Sequence, residues 1–334
     1  VGSQDKRPYL LNKVVDEGFT LEKALNITGF SAQLIPVYVD QDIVNTVRKE
    51  APLVELIPRV ATRGKSVDFN RLTALGTTGF QTEDAALSEV NDTYVRKAIN
   101  VGFLYQVGRV TGPMQAAAAQ YVDSMNLEVM NKTTNLKYIE EQSIIVGNTV
   151  MSTGGVGDDS TAAPWNSAAY AGLLAQQSGM TTAAGIANLW TTSANVIDVA
   201  GANLSISHIR QGVEEAKVDG GRPKFGVTDL TTERQIKGLL GEFQRINDTT
   251  NFAWGIEAIS IDGLPIITSK YMSRTTRKKE ILICDTDVIE MRVLQDTVFE
   301  RLAKTNDSDK FYLKQYQVLV NKAPEFSAKV EDYA

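Results

Sequence analysis

The chain has 334 residues, 43% of them hydrophobic and 22% charged, with a net charge of -6; that is enough for one large core or two modest ones, and it excludes a disordered chain. The negative balance leaves no broad basic field for phosphates, which disfavours tight sequence-specific nucleic-acid binding. With one cysteine, Cys284, and one histidine, His208, an intrachain disulfide is excluded, and any Ser/His/Asp triad or histidine-based zinc site would rest on a single residue.

From Val1 to about Phe30 the sequence is mixed and polar, with one short helical candidate around Thr20 to Leu25, and reads as an arm without a core of its own. No apolar run approaches the roughly 20 residues that span a bilayer, and Val1-Gly2-Ser3-Gln4-Asp5-Lys6-Arg7 is not a hydrophobic signal segment, so the reading is a soluble chain with no obvious export signal. Asp40 caps a predicted amphipathic helix through Ile43, Val44 and Val47, which the Ala51-Pro52 step ends.

Between Val95 and Val107 the apolar residues Val95, Ile99, Val101, Phe103, Tyr105 and Val107 fall on odd positions, which predicts one strand. Paired with the outgoing run Val54 to Phe69, it makes a hairpin of about 13 residues, roughly 43 Å long, projecting beyond a compact body. Its connector, from Arg71 to Asp92, carries Gly76, Gly79, Glu83, Asp84 and Glu89 and reads as a partner-contacting tip.

After Gly112-Pro113, the residues Met114, Ala118, Tyr121, Met125, Val129, Leu136, Ile139 and Val146 recur at helical steps. They predict a single spine helix of about 33 residues, about 50 Å long. From Thr149 to about Ala202 the composition turns to Gly, Ala, Ser and Thr, which reads as an irregular insertion with short helices near Ala168 to Leu174 and Ala183 to Trp190.

An α/β unit follows: a helix over Ser205 to Lys217, a Gly220-Gly221 stop, a strand at Phe225-Gly226-Val227 and a helix over Thr232 to Phe243. Two strands around Asp262-Gly263 form a predicted hairpin, and Ile281 to Cys284, Ile289 to Leu294, Phe311 to Val320 and Phe326 to Val330 supply further strands.

Chemical motifs are scarce. Gly154-Gly155-Val156-Gly157-Asp158-Asp159 has no following Lys-Ser/Thr and reads as a linker, not a phosphate loop. Asp285, Asp287 and Glu290 read as a solvated strand end, and Cys284 as core filler within Ile281-Leu282-Ile283-Cys284. Arg274, Arg277, Lys278 and Lys279 form the one basic cluster, a solvated face or subunit contact with DNA contact as the lesser reading. No base, nucleophile and oxyanion donor come together, so the reading is a non-enzyme with no catalytic, cofactor-binding or metal residue and no cofactor.

The order of parts, arm, capped helix, long hairpin, spine helix, then an α/β unit with a late Asp-Gly hairpin, resembles the major capsid proteins of tailed double-stranded-DNA viruses. Leu34-Ile35-Pro36, Ala51-Pro52-Leu53, Val107-Gly108-Arg109 and Ile261-Asp262-Gly263-Leu264-Pro265-Ile266 carry the local likeness. The resemblance implies an α+β chain with the HK97-like capsid fold: an N-terminal arm (1–31), a short helix (32–53), an extended loop (54–110), a spine helix of the peripheral domain (111–148), an insertion (149–201), an axial domain (202–271) and return strands (272–334). It implies self-assembly through pentamers and hexamers into an icosahedral shell around a viral genome, in a virion assembled in the host cytoplasm. Portal, scaffolding and cement proteins and weakly held packaged DNA are the implied partners, with no membrane.

Some members join a loop lysine to a neighbour's asparagine; Lys65 is a loop lysine here, but no asparagine or assisting acid is matched and the activity is not carried over. A first residue Val1 fits removal of a scaffolding segment, and equally removal of a methionine or a choice of numbering. Breakers at Pro58, Gly64 and Gly112 are expected to let one subunit suit five-fold and six-fold positions. Two other readings stand beside this one: an encapsulin-like nanocompartment shell enclosing a cargo enzyme, and a pocket-bearing α/β enzyme built on the region after Ala202.

Overall fold

The computed structural model describes residues 51–80, 82–83, 89–119, 123–148, 166–178, 195–243, 249–251, 257–272, 279–304 and 306–333, all within one compact unit, Val47–Ala334. The expected arm, the Asp40 helix, Asp84, Tyr121, the Gly154 to Asp159 stretch, the helix at Ala183 to Trp190, and Arg274, Arg277 and Lys278 lie outside the described residues.

The elements in chain order are α1 (Pro52–Leu56), β1 (Arg59–Ala61), β2 (Ser66–Ala74), β3 (Thr93–Asn100), β4 (Gly102–Thr111), α2 (Gly112–Ala118), α3 (Ser124–Ile145), α4 (Leu173–Ser178), β5 (Val196–Asp198), α5 (Ile206–Val218), β6 (Phe225–Thr228), α6 (Leu230–Phe243), β7 (Thr249–Asn251), β8 (Glu257–Ile261), β9 (Leu264–Thr268), β10 (Lys279–Cys284), β11 (Ile289–Leu302), β12 (Ser308–Asn321) and β13 (Ala328–Tyr333). They form a seven-stranded sheet in the order β5-β13-β10-β6-β9-β8-β7, a four-stranded sheet in the order β1-β11-β12-β4, and the β2-β3 hairpin.

The central strands of the seven-stranded sheet are covered on both faces. Ile281 and Ile283 of β10 pack with Ile209 of α5 and Ile236 of α6, while Leu282 and Cys284 of the same strand join Phe225, Val227 and Leu173 on the other side. A strand buried on both faces needs an unbroken apolar run, which is what Ile281 to Cys284 supplies. Asp262 and Gly263 both adopt positive φ, +51° and +82°, between β8 and β9. That pair of left-handed residues is the turn whose twist matches a tight hairpin, and it explains the Asp-Gly dipeptide.

The four-stranded sheet is built on two 14-residue strands, β11 and β12, paired antiparallel from Ile289↔Asn321 to Leu302↔Lys310. The cluster that includes Leu53, Ile57, Ile144, Ile145, Ile289, Met291, Val318 and Val320 also holds Phe225 and Leu282, so one core joins the two sheets. β10 and β13 of the 272–334 region lie in the seven-stranded sheet, and β11 and β12 lie in the four-stranded one.

Besides the short helix expected near Ala168 to Leu174, which lies at Leu173–Ser178 as α4, three expectations are corrected. The spine helix divides into α2 and the 22-residue α3, which is about 33 Å long. Apolar periodicity runs across the break, but the Asp123 carboxylate accepts from the backbone N–H groups of Met125 and Asn126, both at 3.1 Å, and so starts a new helix. The hairpin is shorter and shifted: β2 and β3 pair from Ser66↔Asn100 to Ala74↔Thr93, and Val54 lies in α1, where Pro52 favours a first helical turn.

The third correction concerns the strand expected over Val95 to Val107, which is two strands in two sheets. At Val101 the chain leaves the hairpin, its N–H bonded to the Lys65 carbonyl at 3.0 Å, and β4 then pairs with β12. Ile99 and Val101 are buried, but after this junction the even residues turn inward and Phe103, Tyr105 and Val107 turn outward. The odd-position rule holds within β3 and inverts in β4.

Candidate assembly interface

The sequence-singled residues are placed as structural parts. His208 is the third residue of α5, and its Nδ1 accepts from the Ser205 N–H at 3.3 Å, an N-terminal capping arrangement. Cys284 is fully buried, its Sγ accepts from Gln177 Nε2 at 3.1 Å, and burial pushes its thiol up to about 12. The Asp285 carboxylate accepts from the N–H groups of Arg222 and Asp287, and Glu290 pairs with Arg292 and Lys322, so each carboxylate already has its partners. Among the described residues no group of three His, Cys, Asp or Glu side chains could hold a metal ion. Lys65 is exposed at the hairpin root, and Lys279 sits 6.0 Å from the Tyr333 ring centroid.

Two grooves of about 490 and 530 Å³ flank the Asp262 turn, floored by Ile209, Val213, Leu239, Leu240 and Ile261. Between them Arg210 Nε and an Arg210 terminal nitrogen donate to the two Asp262 oxygens, at 2.5 and 3.1 Å. That hydrogen-bonded guanidinium lowers the Asp262 pKa. The pair is an exposed ion pair fastening the turn to α5.

The distinctive surface is the outer face of the four-stranded sheet. On the inner face Phe311 and Leu313 of β12 meet Leu136 of α3, with Leu104, Met125 and Val129 around them. Phe311 lies over Gly108 so closely that a Cβ there would stand 2.2 Å from the ring Cζ, which is why β4 carries glycine at this point. On the outer face Phe103, Tyr105 and Val107 are 60%, 72% and 50% exposed. Opposite them across the ladder stand Tyr316, Lys314 and Tyr312.

These side chains, with Leu302, line an apolar groove of about 460 Å³. The Phe103 and Tyr316 rings meet edge to face, with centroids 5.0 Å apart, the favoured geometry for an aromatic pair. Glu300 is the one acid bonded here: it accepts from Lys314 and from the Tyr312 hydroxyl, so its carboxyl is lowered while both partners are raised. A contiguous apolar, aromatic face of this kind on a polar chain marks a protein contact.

The hairpin exposes a second apolar set, Leu72, Leu75, Phe80, Val90 and Tyr94. Val67, Phe69 and Ile99 bind its root into the main core, and an Arg71 terminal nitrogen donates to both Glu325 oxygens, at 2.6 and 2.7 Å. Glu83 and Glu89 are exposed toward its tip. The sequence reading placed the outward aromatics of β4 on the same side of one strand as Ile99 and Val101; the signal available was that apolar residues also recur at Leu104 and Val110, on the opposite face.

Residues 26–334 match the family model for the SU10 major capsid protein. The fold is similar to a cyanophage A-1(L) capsid subunit, at TM-score 0.69 and 14% identity over 90% of this chain and 98% of that one. It is similar to a subunit from the capsid of a native GTA particle, at TM-score 0.64 and 16% identity over 94% of this chain and 100% of that one. The holo-SrpI encapsulin complex from Synechococcus elongatus PCC 7942 is similar at TM-score 0.63 and 12% identity, over 92% and 96% of the two chains. No curated protein matches. A match over nearly the whole described chain, on an HK97-type fold whose described side chains are placed for packing and contact, makes this chain a member of the SU10 major capsid protein family, a self-assembling shell protein of the virion and not an enzyme.

Proposed function

We propose that the shell is a closed icosahedral one around a double-stranded DNA genome, built from pentamers and hexamers in which the outer face of the four-stranded sheet is covered by the hairpin of a neighbouring copy. The observation that carries this reading is the exposed row Phe103, Tyr105 and Val107, together with the exposed Leu75, Phe80 and Val90 of the hairpin. Covering one such aromatic side chain contributes about 1.5–3 kcal/mol, so the set is enough to link subunit order to assembly. Heterologous contacts of this kind close a shell when they repeat around symmetry axes.

In this reading 54–110 is the extended loop, 111–148 the peripheral spine, and 202–271 the axial region that meets its copies at five-fold and six-fold positions. Pro58, Gly64 and Gly112 absorb the difference between the two settings, and identical conformers at both would overturn that point. Assembly in the host cytoplasm, with portal, scaffolding and cement proteins and weak non-specific contact to the packaged DNA, belongs to the same proposal.

The encapsulin likeness supports a second reading, a shell around a cargo enzyme. Electron microscopy of purified particles, with nucleic acid assayed in the same fractions, separates the two. Closed shells containing DNA are expected; shells filled with protein cargo would favour the second reading, and a persistent monomer at high concentration would overturn both.

A further inference from the structure

The core between the two sheets contains a polar joint that no assembly contact explains. Glu141 of α3 is fully buried. Its Oε2 accepts from the N–H groups of Leu53 and Val54 at 2.9 and 3.1 Å, and its Oε1 accepts from the Ser269 hydroxyl at 2.9 Å. Ala51, the residue before α1, contributes no side-chain cap, so a carboxyl 88 positions away in sequence closes the first turn. One side chain thereby ties the spine helix to the element that leads into the hairpin and to the loop leaving β9.

The neighbouring Glu140 is also buried and is ion-paired to Arg59 of β1. Gln315 and Gln317 of β12 lie beside Glu140, and the ring of Tyr170, fully buried, faces both acids. Tyr271, next to the β9 exit, also lies within electrostatic reach of Glu141, and Tyr138 on α3 acts on Tyr271. Two adjacent carboxyls thus share a water-poor site whose bonded cation is engaged by Glu140.

We infer that Glu141 is a proton-operated joint, neutral when α1 is locked to the loop after β9, and that loss of its proton loosens the root of the hairpin. The neutral acid keeps both amide bonds on Oε2, while the contact at Oε1 reverses, Oε1–H donating to the Ser269 oxygen. The ionised form keeps the same three contacts but holds a desolvated negative charge beside Glu140. Consistent with this, burial, opposed by the hydrogen bonds from Ser269, Val54 and Leu53 and reinforced by Glu140, raises the Glu141 carboxyl to about 7 from an ordinary 4.5.

A raised carboxyl means that the folded joint binds its proton more tightly than the opened one. The joint is therefore firmest below the ordinary carboxylate range, weakens as pH rises, and levels off once Glu141 has ionised in both states. In hydrogen exchange on the full-length subunit, corrected for the intrinsic pH dependence of the amides, opening of Leu53 and Val54 is expected to rise about tenfold per pH unit up to about pH 7.

Glu141→Gln keeps a carbonyl for the two amides and an N–H for Ser269, and is expected to remove that pH slope while leaving protection high at pH 8.5. Should Glu141→Gln fail to fold, Glu140→Gln serves in its place. It removes the adjacent charge and frees Arg59, and is expected to move the transition to lower pH. An unchanged slope in Glu141→Gln, or an unmoved transition in Glu140→Gln, overturns the inference. The measurement is made on unassembled subunits, so failure of the shell reading would leave it standing.

Discussion

The two large sheets are made from similar strands and end differently. The seven-stranded sheet has α5 and α6 on one face and the inter-sheet core on the other, and Ile281 to Cys284 are all fully buried. The four-stranded sheet has α3 on one face, and the other is left with Phe103, Tyr105, Tyr312 and Tyr316 partly or largely in water. In the proposed assembly the half-covered face of the four-stranded sheet is the one that meets another copy. The difference separates residues that make the subunit fold from residues that make it assemble.

Substitutions sharpen that comparison, in descending order of effect on the isolated subunit. Phe311→Ala empties the fully buried pocket under Gly108 and α3 and is expected to cost about 3–5 kcal/mol in urea unfolding. Ile283→Ala, on the doubly covered sheet, is expected to cost about 2–5 kcal/mol; equal costs in the two places would show that the four-stranded sheet is as well packed on its inner face as the other is on both. Asp123→Ala removes the cap of α3 and is expected to lose about 1 kcal/mol, and a calorimetric transition unaltered by it would contradict the reading of the spine as two helices.

Arg71→Ala breaks the ion pair that ties the hairpin to Glu325, which is half exposed, and about 0.2–1 kcal/mol is expected, falling further at high salt. The smallest change to the subunit is expected from Tyr105→Asp, within about 0.5 kcal/mol, because the side chain faces water. The same substitution is expected to abolish particles in sedimentation velocity. Shells formed at wild-type concentration by Tyr105→Asp would show that the outer face is not a contact between copies.

Much of the α/β unit was legible without coordinates. The α5 and α6 faces, the Asp262-Gly263 turn and the Ile281 to Cys284 strand follow from local periodicity and turn chemistry, because a helix or a tight hairpin is decided by residues close together in the chain. The Glu140 and Glu141 joint was not legible. Two adjacent acids near the end of a helix ordinarily face solvent, and nothing local announces that Leu53 and Ser269 arrive to meet one of them.

What the sequence by itself determined is the set of elements, the scarcity of chemical residues and the order of parts that resembles a capsid subunit. What only the tertiary structure decided is which side of each element is covered. Alternation along β4 defines two faces without saying which one meets α3, and that choice is made at Val101, where the chain passes from one sheet to another and pairs with a strand some 200 residues away. The exposure of Phe103, Tyr105 and Val107 is therefore a consequence of non-local pairing.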